Sequence, residues 1–124
     1  MSYKAIHRYA RISAQKVRPF ANLVRNQYAE VAMDTLKYHP NRGARMLEKV
    51  IKSAIHNAED RRVSDLSSLL ITDVRVDGGP STIKRMRPKS RGMASVITRM
   101  VSHISVTLED VNELAAESED EEQQ

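Results

Sequence analysis

Strict alternation of apolar and polar positions marks two stretches of this chain. Residues 69–77 (LLITDVRVD) place Leu70, Thr72, Val74 and Val76 on one face and Asp73, Arg75 and Asp77 on the other. That is the period of a half-buried strand. The pattern returns near Ser95, and Val96, Thr98, Met100, Ser102, Ile104, Val106 and Leu108 then share a face. Antiparallel pairing of the two is the simplest connection. Gly78, Gly79 and Pro80 interrupt regular pairing, so an arm begins there and carries its tip near Pro88. About ten residues a side at ~3.3 Å each would project ~30 Å. No hydrophobic face of normal density covers its outer part, so it should be mobile until docked.

Residues 3–12 (YKAIHRYARI) read as a third, short strand. Helical spacing fills the stretch after it. Ser13 can cap a helix to about Arg25 with Val17, Phe20 or Ala21, and Val24 on one face. Pro19 should bend that helix, unless it starts nearer Lys16. A second helix, Glu30 to Tyr38, turns Ala32, Met33 and Leu36 inward and ends at His39–Pro40. Asn41 can cap a third, to about Arg61, with Ala44, Leu47, Ile51, Ala54, Ile55 and Ala58 at helical spacing and Arg45, Glu48, Lys49 and Lys52 opposite.

Charge changes the picture. The net charge of +4 over 124 residues hides an asymmetry. Residues 109–124 hold eight of the sixteen carboxylates and no Lys or Arg, so residues 1–108 keep twenty cations against eight acids, a net of +12. A basic body of this size points to nucleic acid or an anionic membrane rather than to a merely soluble basic surface. Between Ser81 and Arg99 lie Lys84, Arg85, Arg87, Lys89, Arg91 and Arg99 with no acidic residue. Arg grips phosphate bidentately and Lys acts as a point charge. A second cluster, Arg8, Arg11, Lys16 and Arg18, surrounds the start of the first helix, where free N–H groups also favour phosphate. Residues 1–110 form one domain, with the hairpin at about 78–100. The low-complexity acidic tail 111–124 is expected to be disordered and to screen the basic surface.

Several classes fall away. No window approaches the roughly 18 apolar residues of a membrane span, so no membrane partner is expected. The N-terminus lacks an apolar signal core, which makes a cytoplasmic location the default. There is no cysteine, so disulfides and thiolate metal sites are excluded. His7, His39, His56 and His103 show no metal-ligand spacing, and His56 reads as a partly buried helix residue. With no phosphate loop and no nucleophile motif, no enzyme and no cofactor are expected. One Phe and four Tyr are too few for a base-stacking platform.

Four separated motifs now align with a known family: ARISAQKVRPFANLVRN (10–26), SAIHNAED (53–60), VDGGPSTIKRMRPKSRGMA (76–94) and SHISV (102–106). In this order and spacing they resemble the bacterial-type large-subunit ribosomal protein family L-twenty-two over about residues 3–108. The resemblance implies an α+β fold, a small antiparallel sheet packed with three helices plus one long protruding β-hairpin. It implies large-subunit rRNA and other large-subunit ribosomal proteins as partners. It further implies a role in subunit assembly and a hairpin tip lining the nascent-peptide exit tunnel, where it meets the nascent peptide. Changes in that hairpin can give macrolide resistance in family members. Carried over by motif, the rRNA-contacting residues are Arg11, Ser13, Gln15, Lys16 and Arg18, then Lys84, Arg85, Arg87, Lys89, Arg91 and Gly92, with Ser102 and His103. The chain departs from the family pattern at Lys89 and Ser90, at Met93, and by one residue near Thr82. Two other readings compete. A DNA-architectural protein with a proline-tipped basic arm would more usually begin with helices. An RNA-processing enzyme lacks any catalytic constellation. No DNA partner is expected.

Overall fold

In β1 (Ser2–Ala10), Tyr3 and Ala5 are buried while Lys4 and Ile6 are exposed. The alternation fails at Arg8 and Tyr9, where the pairing of β1 shifts between His7↔Ile104 and Ala10↔Ser102. Tyr9 takes a left-handed φ of 57° there, the kind of local re-aiming that a bulge produces. The structure, a computed structural model, describes residues 2–63, 65–81 and 83–123. The family departure near Thr82 therefore lies outside the described residues.

The expected helices form close to their expected bounds. Helix α1 (Ala14–Val24) follows Ser13 and buries Val17, Phe20, Ala21 and Val24, although the Ser13 side chain makes no capping bond. Pro19 lies inside it on the exposed side. Helix α2 (Ala29–Tyr38) buries Ala29, Ala32 and Leu36. Helix α3 (Arg42–Asp60) buries Ala44, Leu47, Val50, Ile51, Ala54 and Ala58, with Ile55 packed beside them. His56, read as partly buried, is exposed.

The sheet has the order β1-β5-β2, with β5 (Ser102–Asp110) between β1 and β2 (Leu69–Gly78), all antiparallel. Helices α1 and α3 pack on it, and its inner face is Ile71, Val74, Ile104, Val106 and Leu108. One expectation fails in β2. Leu69 and Ile71 are buried before the register shift between Ile71 and Asp73, and Val74 and Val76 after it. The expected face of Leu70, Thr72, Val74 and Val76 is therefore split. An extra residue reverses which side points inward. The long face read from Val96 to Leu108 is split as well. Val96 and Met100 are exposed, Val101 is buried, and β5 restarts the pattern at Ser102.

The outer edge of β2 is covered by side chains and loop. Asn26 N–H donates to Ile71 O and Ile71 N–H to Gln27 O, each at 2.9 Å. Arg25 Nη2 donates to Val74 O at 2.7 Å, and Arg18 donates through Nε and Nη2 to Val76 O, each at 3.4 Å. An edge satisfied this way does not template pairing with another chain.

The acidic tail corrects another expectation. Val111–Glu122 is a helix, α4, rather than disordered chain. Asp110 Oδ1 accepts from Asn112 N–H at 2.9 Å and from the Ser68 hydroxyl at 2.8 Å, capping the helix and tying it to the body. Leu, Ala and Glu are strong helix formers, and that preference outweighs the charge-based reading. Burial pushes the Tyr3 phenol up, with Glu113 and Asp110 adding and Arg61 opposing, which places the start of α4 beside Tyr3. Helix α4 follows one end of β5 and the hairpin joins the other, so the start of α4 lies ~30 Å along the strand from the hairpin root.

Candidate nucleic-acid interface

Beyond the sheet the chain forms a separate two-stranded hairpin, β3 (Ile83–Pro88) and β4 (Ala94–Arg99), whose strands pair only with each other. Its register sets Lys84 opposite Thr98, Arg85 opposite Ile97, Met86 opposite Val96, and Arg87 opposite Ser95. Arg85, Arg87 and Arg99 therefore share one face, while Lys84, Met86 and Val96 share the other. Both faces carry cations. Six residues of paired strand span about 20 Å.

The tip closes through Lys89 N–H to Met93 O at 2.6 Å and Met93 N–H to Ser90 O at 3.3 Å. Arg91 (φ 59°) and Gly92 (φ 68°) are both left-handed. Gly92 adopts this freely, whereas Arg91 holds it at a cost of about 1–2 kcal/mol. The turn thus presents the Arg91 guanidinium at the apex. Among the described residues the side-chain ion pairs are Arg45–Glu48 and Arg75–Asp73, so no tip cation is neutralised by the protein.

At the hairpin root lies a cleft of about 400 Å³. Arg11, Ser13 and Lys16 line it from the start of α1, Arg42 from the start of α3, and Arg99 and Met100 from the hairpin. The two helix starts are drawn together at Gly43, where an added Cβ would lie 2.5 Å from Lys16 O. Arg45 Nη2 donates to Lys37 O at 2.7 Å and His39 O at 2.6 Å, which fixes the loop that delivers Arg42.

The sequence profile of the family described as Ribosomal protein L22p/L17e matches residues 5–109. The chain belongs to that family. It is 58% identical over 111 residues to a protein of Rhodopirellula baltica named Large ribosomal subunit protein uL22, covering 86% of this chain and 92% of that one. The protein of the same name from Caldicellulosiruptor saccharolyticus is 44% identical over 83% of this chain and 84% of its own length. That of Akkermansia muciniphila is 42% identical over 89% and 97%. The L22p/L17e match spans the sheet, the first three helices and the hairpin, and stops before α4.

The residues expected to contact RNA, from the family motifs and from the basic clusters, are not all placed alike. Lys84, Arg85, Arg87, Lys89, Arg91, Gly92 and Arg99 are exposed on the hairpin. Arg8 is exposed in the β1 bulge, and Arg11, Gln15 and Lys16 are exposed around the start of α1, with Ser13 half-buried between them. Arg18 is exposed but already donates to the β2 edge. His103 is half-buried. Its Nδ1 accepts from Tyr9 N–H at 3.0 Å, and the two rings meet edge-on at 4.9 Å. Ser102 departs from expectation. It is fully buried on the inner face of β5, and its hydroxyl has no hydrogen-bond partner. The β5 alternation that buries Ile104 buries Ser102 too. We expect Ser102→Ala to leave rRNA affinity unchanged and to raise stability by up to about 1 kcal/mol, because an unpaired buried hydroxyl is costly. A lowered thermal midpoint would contradict this. The sequence reading did not single out Arg42, the first residue of α3, which has no acidic residue in its first turn.

Among the described residues no helix is long and apolar enough to cross a membrane.

Proposed function

We propose that this chain is a structural protein of the large ribosomal subunit, working at the ribosome in the cytoplasm. It binds large-subunit rRNA, supports subunit assembly alongside other large-subunit ribosomal proteins, and lines the nascent-peptide exit tunnel with its hairpin tip. Family membership and the names of its relatives support the assignment. The observation that carries it is the hairpin, an arm paired only with itself, cationic on both faces and without a described carboxylate partner. Two-stranded hairpins are marginal in water, so this arm is suited to being held by what surrounds it. Its cations neutralise phosphates and fix register without reading sequence. The exposed Met86, Met93 and Val96 between them supply an uncharged surface suited to a passing nascent peptide.

The DNA-wedge reading is weaker on this geometry. A wedge belongs at the apex, but Pro88 pairs with Ala94 at the strand end, and the apex is Ser90–Gly92. The test is filter binding to structured large-subunit rRNA and to duplex DNA of equal length across a salt series. The rRNA should bind far more tightly, with each phosphate contact adding about 0.7–0.9 to the log–log salt slope. Equal affinity for the duplex would sink the assignment.

A further inference from the structure

Two features of the root cleft are not explained by packing. First, Arg11, Lys16, Arg42 and Arg99 converge on it from three parts of the chain, and none forms an ion pair with a described carboxylate. Four like charges around one cavity repel each other, a cost that an anion removes. Second, the helix starts that border it are open. Neither Ser13 nor Asn41 makes a side-chain capping bond, and neither α1 nor α3 has an acidic residue in its first turn. Helix α2 also lacks a side-chain cap but carries Glu30 in its first turn, and two other starts are capped by carboxylates. Asp110 does so at α4, and Asp65 accepts from Ser67 at the turn before β2, which also holds its carboxyl below the usual range. The uncapped starts meet at Gly43, and a second cavity of about 330 Å³ continues the cleft past Lys16 and Arg42 to Asn41.

The hairpin joins the body beside this cleft. Its strands share no sheet with the body. Described hydrogen bonds at its root are Gly79 N–H to Val101 O at 2.8 Å and the Ser81 hydroxyl to Met100 Sδ at 2.9 Å. Arg99 forms the hairpin wall of the cleft, while Arg11, Lys16 and Arg42 form the body wall.

We propose that the root cleft is a phosphodiester site, in which an RNA backbone phosphate bridges Arg99 to Arg42 and Lys16 and so sets the angle of the hairpin to the body. The part of the cleft between Arg99 and Arg42 has no aromatic side chain in its lining, and Phe20 in the adjoining cavity is buried, which suits backbone rather than base. Bound phosphate accepts from both walls at once and replaces repulsion with charge-assisted hydrogen bonds. This rests on the rRNA-binding reading and adds a second contact region with a role of its own. The tip anchors the arm, and the root orients it.

The test uses the full chain, which has no cysteine. Spin labels on Met93→Cys at the tip and Lys52→Cys on the exposed side of α3 report the tip-to-body distance distribution. Tripolyphosphate should narrow that distribution saturably. Arg42→Gln and Arg99→Gln should each abolish the narrowing, Arg42→Lys should restore it, and the tip variant Lys89→Gln should keep it. In filter binding, Arg42→Gln should weaken rRNA affinity about tenfold, the scale of one lost charged contact. A distribution indifferent to tripolyphosphate, or narrowing that survives both glutamine variants, would overturn the proposal even if the wild-type chain binds rRNA tightly. Narrowing as described, with no preference for rRNA over duplex DNA, would instead uphold the clamp and remove the rRNA reading beneath it.

Discussion

Replacing Lys84, Arg85, Arg87, Lys89 and Arg91 together by glutamine should lower affinity for large-subunit rRNA by about a thousandfold or more at ~0.1 M salt. Each phosphate contact contributes about 0.7–0.9 to the log–log salt slope, so five neutralised cations remove roughly 3.5–4.5 from it. The loss should shrink as salt rises, because the difference is counterion release. The fold should survive. All five side chains are exposed, and the hairpin pairs with no strand of the core sheet. The thermal midpoint should stay within about 2 °C, as for surface changes away from packing. A slope that does not change would show that the hairpin cations do not meet phosphate.

Gly43→Ala should destabilise the fold more than any other substitution proposed for this chain. Two terms oppose each other. Alanine is the better helix former by about 1 kcal/mol in a helix interior, and by less at the second helical position. Against that, the new Cβ would lie 2.5 Å from Lys16 O and 3.2 Å from its carbonyl carbon. Those are backbone atoms of α1, which cannot rotate away as a side-chain end can. Overpacking of this kind costs about 1–3 kcal/mol, so the net loss should be about 1–2 kcal/mol. For a domain near this size that lowers the melting temperature by roughly 4–8 °C. The same shift pushes Lys16 away from Arg42, so rRNA affinity should fall severalfold in protein that is still folded. An unchanged or raised melting temperature would mean that the α1–α3 contact is looser than the geometry shows.

Much of this architecture was legible in the sequence for local reasons. Leu47, Ile51, Ala54 and Ala58 repeat at helical spacing, and Gly79 with Pro80 stops a strand. The hairpin declared itself by six cations without a carboxylate, a pattern that a packed surface rarely tolerates. What stayed hidden depended on neighbours far away in sequence. The bulge at Thr72 leaves no mark in residue type, yet it decides that Ile71 rather than Leu70 is buried. The burial of Ser102 follows from the phase of β5, which the continuous pattern from Val96 obscured. The helix α4 was hidden behind its own charge. The root cleft was invisible because Arg42 and Arg99 belong to unrelated segments and meet only after α1 and α3 close at Gly43.

Tip and root together amount to one proposal, an rRNA-embedded arm on a small, edge-protected body. Sedimentation decides it, using purified large ribosomal subunits that lack this protein, washed at about 0.5 M salt, where exposed charge contacts are screened within a few ångströms. The full chain should pellet with the large subunit in a one-to-one ratio and not with the small subunit. At ~0.1 M salt, where the hairpin cations count most, the five-glutamine hairpin variant should stay in the supernatant while the wild-type chain pellets. Recovery of the wild-type chain in the supernatant, or equal pelleting with both subunits, would refute the embedded arm.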